Sequence, residues 1–254
     1  MLLPRIIPCL LLHGGGLVKT IHFASPKYVG DPINAVRIFN EKEVDELIIA
    51  DIDATKCERE PDYTLIANLA AECRMPLCYV GGVKTVAQVE RIISLGVEKV
   101  GISSAAIYNP ELISESAKRV GKQSIVVVLD VKKTGFSNQY CVFTHNGKRK
   151  TTIDPAAFAR TAESLGAGEI VINSIDRDGT MEGYDTSLIE TIKRNIHIPL
   201  TALGGASSLE DIQNLIKQFG IIGAAAGSLF VFKGKYRAVL IQYPQHEQKA
   251  KLVL

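Results

Sequence analysis

The segment PLCYVGG, starting at Pro76, returns as PLTALGG, starting at Pro199, at an offset of 199 − 76 = 123 residues in a chain of 254. The match runs on: Ser104 meets Ser228 at 228 − 104 = 124, and small residues surround both. A repeat at half the chain length reads as two similar halves. Short β-branched runs alternate with amphipathic stretches of about 10 to 15 residues, the pattern of successive βα units and a parallel sheet. The runs predict eight strands, at Arg5–Leu12, Glu46–Asp51, Leu77–Val80, Lys99–Ser103, Ser124–Asp130, Glu169–Asn173, Leu200–Leu203 and Ile222–Ala225. Their near-continuous hydrophobicity requires cover on both faces, which helices such as Thr85–Ser94, Pro110–Arg119, Pro155–Leu165 and Leu209–Lys217 supply.

Eight such units close into a (β/α)8 TIM barrel of the α/β class, and the length is near the ~250 residues usual for one. The expected organisation is one domain over 1–254, with half-barrels at roughly 1–122 and 123–245 and a short C-terminal tail. Hydrophobic residues at 46% and charged ones at 22% suffice for a sizeable core. A net charge of +2 without long runs gives no footprint for nucleic acid or an anionic membrane. The opening MLLPRIIPCLLL is interrupted by Pro4, Arg5 and Pro8 and lacks a small-residue cleavage site, so it does not read as a signal peptide. Five cysteines without a CxxC pair or His/Cys spacing imply no metal site and a reduced, cytoplasmic setting.

Two connections are longer than needed, His13–Gly30 and Lys132–Thr152, and both follow strands, which places them on the active-site face of a barrel. Within the second, QYCVFTH, Asn146-Gly147 and KRKTTI read as a hairpin with a tight turn. Gly81-Gly82 and Gly204-Gly205 end strands and lead into helices, where amide groups can approach an oxyanion without obstruction by a Cβ. Ser103-Ser104 and Gly227-Ser228, at the next strand ends, add hydroxyls. Each half thereby gains one phosphate cradle, and the pair suits a small molecule phosphorylated at both ends, with no cofactor called for.

On these residues the chain resembles the HisF family, the cyclase subunit of imidazole glycerol phosphate synthase, over essentially its full length. The resemblance is also carried by RIIPCL, Lys19, Phe23, Gly30-Asp31-Pro32, DELIIADIDA and SIDRDGTMEGYD. The sister HisA isomerases share the barrel and both phosphate sites but fit the last motif less well. The resemblance implies ammonia released by a HisH-like glutaminase, bound as a heterodimer, passing through the barrel to a bis-phosphorylated ribonucleotide. It implies two aspartates as acid and base, since one proton is removed while another is delivered.

Asp130 matches one aspartate, while Leu11, 130 − 11 = 119 residues earlier, stands at the other position. His13-Gly14-Gly15-Gly16 and Ser103 also depart from the family pattern. A leucine moves no proton, so efficient cyclisation is in doubt, and His13 is a weak substitute. Asp178 and Gly179 serve either to grip phosphate or to turn the chain, Asp51 and Asp176 either to meet substrate or to orient loop backbone, and Lys19 suits a phosphate from a lid loop, while the resemblance assigns Arg5, Glu46, Lys99 and Glu169 to an ammonia gate. From residue types alone that ring reads equally as a salt-bridge layer. Glu98 would face the glutaminase. Three functions follow as expectations: a HisF-like ammonia-conducting subunit used with a sugar amidotransferase to amidinate a surface-polysaccharide sugar, an authentic cyclase of histidine synthesis, or a scaffold that activates a glutaminase.

Overall fold

The computed structural model describes residues 3–135 and 139–253, so positions 136–138 of the second long connection lie outside the described residues. The eight barrel strands are β1 (Arg5–His13), β2 (Leu47–Asp51), β3 (Leu77–Val80), β4 (Lys99–Ile102), β5 (Ile125–Thr134), β6 (Glu169–Ser174), β7 (Leu200–Leu203) and β8 (Gly223–Ala226). Neighbours in sequence pair in parallel throughout, and β8 pairs β1 from Arg5 opposite Gly223 to Pro8 opposite Ala226, which closes the sheet. Closure leaves no barrel edge unpaired.

Alternation along each strand creates two cores. Ile6, Leu10, Leu47, Ile49, Val100, Val127, Ile170 and Ile172 face outward to the helices. Ile7, Cys9, Ile48, Cys78, Val80, Val126, Val128, Val171 and Ala225 fill the lumen. Each fully buried aliphatic contributes about 1.5–3 kcal/mol, so the barrel wall is the main source of stability.

Around the wall lie α1 (Pro32–Glu41), α2 (Tyr63–Glu72), α3 (Val86–Ser94), α4 (Glu111–Val120), α5 (Pro155–Ser164), α6 (Thr186–Lys193), α7 (Leu209–Phe219) and α8 (His246–Val253). The duplication is written in their N-caps. Asp31 and Asp154 cap the Asn34 and Ala157 amides at 2.8 and 2.7 Å, and 154 − 31 = 123. Asp62 and Asp185 cap Leu65 and Leu188 at 3.0 and 3.1 Å, and 185 − 62 = 123. Thr85 and Ser208, again 123 apart (208 − 85), open capping boxes with Gln88 and Asp211. Each cap is worth about 1 kcal/mol, and all three pairs share the 123-residue offset of the sequence repeat.

The strands fall where the sequence pattern puts them, within a residue or two except at one end: β5 runs to Thr134, past the predicted end at Asp130. The connection His13–Gly30, read as a loop, is instead a two-stranded ribbon, Gly16–Ile21 against Ala24–Gly30, that continues from β1 with Leu11 opposite Val18. Leu17, Val18, Lys19 and Thr20 are all buried, so this stretch lacks the alternation that marks a half-exposed strand.

The second connection holds the expected turn: Lys148 N–H donates to the His145 carbonyl at 3.2 Å, with Asn146 and Gly147 at φ 55° and 71°. Its return strand is short, Arg149–Lys150, rather than all of KRKTTI. The stretch between β8 and the C-terminal tail is also built up. A small hairpin, Phe232–Lys233 against Ala238–Val239, precedes α8, and the buried Tyr243 hydroxyl donates to the Ile6 carbonyl at 2.8 Å.

Candidate active site

At the C-terminal ends of the strands a cavity of about 130 Å³ sinks into the lumen. It is lined by Leu11, Lys19, Asp51, Gly81, Ser103, Ser104, Asp130, Asp178, Gly179, Gly204, Gly205, Gly227 and Ser228, so nearly all the predicted mouth residues meet there. A side pocket of about 280 Å³, which includes Gly82, opens from it past Gly81, Ser103 and Ser104. Asp176 lies outside this lining. Its carboxylate accepts from Lys133 N–H at 2.8 Å, just as that of Asp53 accepts from Gly14 N–H at 2.8 Å. Here 176 − 53 = 123 and 133 − 14 = 119, but Asp53 holds the chain just after β1 whereas Asp176 holds the end of β5 itself.

The glycine pairs do not begin helices: α3 starts at Val86 and α7 at Leu209, each four residues later. Their glycine is required by close approach. A Cβ on Gly81 would run into the Asp51 carbonyl and one on Gly204 into that of Ser174, again 123 apart (174 − 51). The four glycines all have positive φ, from 71° to 130°. Short helical turns, Ser104–Tyr108 and Ser228–Val231, start instead at the ends of β4 and β8. The Ser104 hydroxyl oxygen accepts from His145 N–H at 3.2 Å.

Asp130, near the mouth on β5, accepts from Asn173 Nδ2 at 3.0 Å. Part of its carboxyl opens on the cavity, but dense surroundings push its pKa up to about 7; the Asn173 bond opposes this and the Asp178 charge reinforces it. A carboxyl near neutrality can give or take a proton at ordinary pH. Leu11, at the end of β1 next to Ala50 of β2, fills the matching place with hydrocarbon.

Lys19 is not a solvated lid residue. It is buried on the ribbon, donates to the Cys9 carbonyl, and its pKa is lowered by burial. Asp178 faces the ribbon, accepting from Thr20 Oγ1 at 2.7 Å and Phe23 N–H at 3.0 Å. Asp51 is gripped by Arg59 at 2.8 and 2.9 Å and takes the Asp53 and Ala54 amides, so it orients the β2 loop. His13 reaches Asp53 Oδ1 at 2.8 Å on the exposed rim.

Sequence reasoning missed Asn173, Arg59 and Asp53. Asp53 carried a signal, since it lies 123 residues before Asp176; Asn173 carried another as an amide inside an apolar strand.

At the opposite end Arg5, Glu46, Lys99 and Glu169 form one closed ring. Arg5 donates to Glu46 and, at 2.7 Å, to Glu169; Lys99 donates to both carboxylates at 2.8 and 2.9 Å. Thr201 Oγ1 adds a bond to Glu169 at 2.6 Å. Burial pushes the Glu169 pKa up, but the Arg5 bond and the Arg5 and Lys99 charges outweigh it and hold the carboxyl below its ordinary value. Between ring and mouth the lumen is lined by aliphatic side chains and the two buried thiols of Cys9 and Cys78. Among the described residues no cluster of metal-ligating side chains occurs, and no helix is long and apolar enough to cross a membrane.

Comparison with known proteins matches residues 5–237 to the family model described as "Histidine biosynthesis protein". A relative from Vibrio vulnificus, named provisionally as imidazole glycerol phosphate synthase subunit hisF3, is 56% identical over 251 residues, 99% of this chain and 96% of its own. A Leptospira interrogans relative, named provisionally as the HisF subunit, is 55% identical over 252 residues, 99% of each chain. The imidazole glycerol phosphate synthase subunit HisF of Lactiplantibacillus plantarum is 39% identical over 232 residues, 91% of this chain and 92% of its own.

Proposed function

The chain belongs to the histidine biosynthesis protein family as a HisF-like cyclase subunit of imidazole glycerol phosphate synthase, and from this premise we propose that it is a divergent member with weakened cyclase chemistry. It takes ammonia from a HisH-like glutaminase at the bottom of the barrel and holds a bis-phosphorylated ligand across the mouth. The observation that carries this reading is the unequal acid/base pair: Asp130 keeps a carboxyl titrating at about 7, while Leu11 fills the partner position. One group can move one proton, but cleavage and ring closure need removal and delivery in concert.

Binding is supported separately from chemistry. Both Gly-Gly turns and both serines line adjoining cavities at the mouth, which offers an anion site from each half to a ligand phosphorylated at both ends. Passage of ammonia is supported by the apolar lumen, which suits a small neutral molecule and excludes its charged conjugate acid. The ring of Arg5, Glu46, Lys99 and Glu169 then acts as the gate. With its own ring closure weakened, the nitrogen serves a sugar amidotransferase that amidinates a surface-polysaccharide sugar.

A second reading, an authentic cyclase, draws on the same Asp130 and on His13 held by Asp53 at the rim. Excess ammonium salt separates the two. Purified chain supplied with the ribonucleotide should turn over about 10²- to 10⁴-fold more slowly than a cyclase with both aspartates. An equal rate would reject the weakened-cyclase reading in favour of the second.

A further inference from the structure

Building on the two-cradle reading above, we propose that Arg237 is a positioning residue of the second-half cradle and makes it selective for a dianion such as a phosphate monoester. Arg237 stands at the tip of the hairpin that follows β8. Its Nη2 donates to the Ser228 hydroxyl oxygen at 3.2 Å and to the Gly179 carbonyl at 3.1 Å, and both residues line the mouth. Its Nε is buried without a partner among the described residues.

The side chain is held before any ligand arrives. Its guanidinium lies 5.0 Å from the centre of the Phe232 ring. Lys27 of the ribbon donates to the Arg237 carbonyl at 2.8 Å and lies over the same ring. A guanidinium fixed this way loses little freedom on binding.

The consequence for Ser228 is directional. Because its oxygen accepts from Arg237, its own O–H is left to donate, and the mouth is where an acceptor would stand. In the first half Ser104 is used alike, but its donor is the neutral His145 amide at 3.2 Å. The two serines, 228 − 104 = 124 apart, thus differ in the charge behind them. Lys19 strengthens the contrast, since its ammonium lies against Gly227, where a Cβ would collide with it. Of the carboxylates lining the mouth, Asp178 is turned to Thr20 and Phe23, Asp130 accepts from Asn173, and Asp51 is paired with Arg59. Charge-assisted bonds are about twice as strong as neutral ones, so a doubly charged tetrahedral group belongs at the second-half cradle.

The test is an amide NMR titration of the full chain with sulfate and, separately, with the monoanion methanesulfonate. Gly179, Gly205 and Gly227 report the second half, Gly82 the first. Arg237→Gln should weaken sulfate at the second-half amides by roughly tenfold to a hundredfold, leave the Gly82 titration unchanged, and abolish the preference for sulfate over methanesulfonate. Arg237→Lys, which keeps the charge, should retain that preference, and it stands in should the glutamine variant not fold. Unchanged second-half affinity in Arg237→Gln, or loss of the preference in Arg237→Lys, overturns the inference alone. Sulfate that shifts neither set of amides in the unaltered protein overturns the two-cradle reading beneath it.

Discussion

Replacing Asp130 by asparagine should stabilise the fold while removing its chemistry, and the gain should depend on pH. The native carboxyl keeps its proton to about pH 7, whereas an ordinary aspartate loses it at 3.8, so between those values the folded chain binds more protons than the unfolded one. Stability therefore falls as pH rises through that window, and the deficit is complete above the folded value. The gap corresponds to about 4 kcal/mol, and contact with the open cavity reduces it to between about 2 and 4 kcal/mol. Asparagine has nearly the same shape, can still accept from Asn173 Nδ2, and brings an amide that can satisfy the Asn173 Oδ1 left without a partner. Urea unfolding at about pH 4 and about pH 8.5 measures the effect as a midpoint shift at constant slope. The variant should match the unaltered chain at the lower pH and exceed it at the higher. A stability difference that is equal at both, or a variant weaker at high pH, would refute the assignment of a burial-raised carboxyl.

Two further substitutions probe the opposite ends of the barrel. Leu11→Asp should raise ammonium-dependent turnover of the ribonucleotide by about a hundredfold or more, read as product formation; no gain would place the deficit in the altered loop at residues 13–16 instead. Lys99→Met leaves Glu46 and Glu169 sharing Arg5 and should cost about 3–5 kcal/mol in urea unfolding. Because Glu169 is held below its ordinary value, the ring's contribution is present at neutral pH and lost on acidification, and the Lys99→Met chain should lose it at a higher pH than the unaltered one.

The barrel was legible because parallel strands buried on both faces leave unbroken apolar runs, and because Gly81-Gly82 and Gly204-Gly205 repeat at a fixed offset. The glycines were found for a partly different reason from the one that retains them: Gly81 and Gly204 are pressed against the carbonyls of Asp51 and Ser174 at the ends of other barrel strands, which a linear reading cannot see. The ribbon escaped notice since four successive residues from Leu17 to Thr20 are buried, with Leu17 in the outer core and Lys19 and Thr20 lining the mouth. The burial of Lys19 was not legible either, because lysine is ordinarily solvated and only the fold drives its ammonium onto the Cys9 carbonyl. Arg237 gave no signal at all, as its hairpin pairs just two residues on each side.

The ring at the base ties the two segments of the chain together. Its two cations and one of its carboxylates, Arg5, Lys99 and Glu46, come from the first half, and Glu169 comes from the second. Neither segment is electroneutral there when severed: one would enclose surplus positive charge, the other an anion with no counterion. A barrel assembled from two copies of either segment would carry an unbalanced layer of charge at its floor, whereas the two present segments together close it neutral.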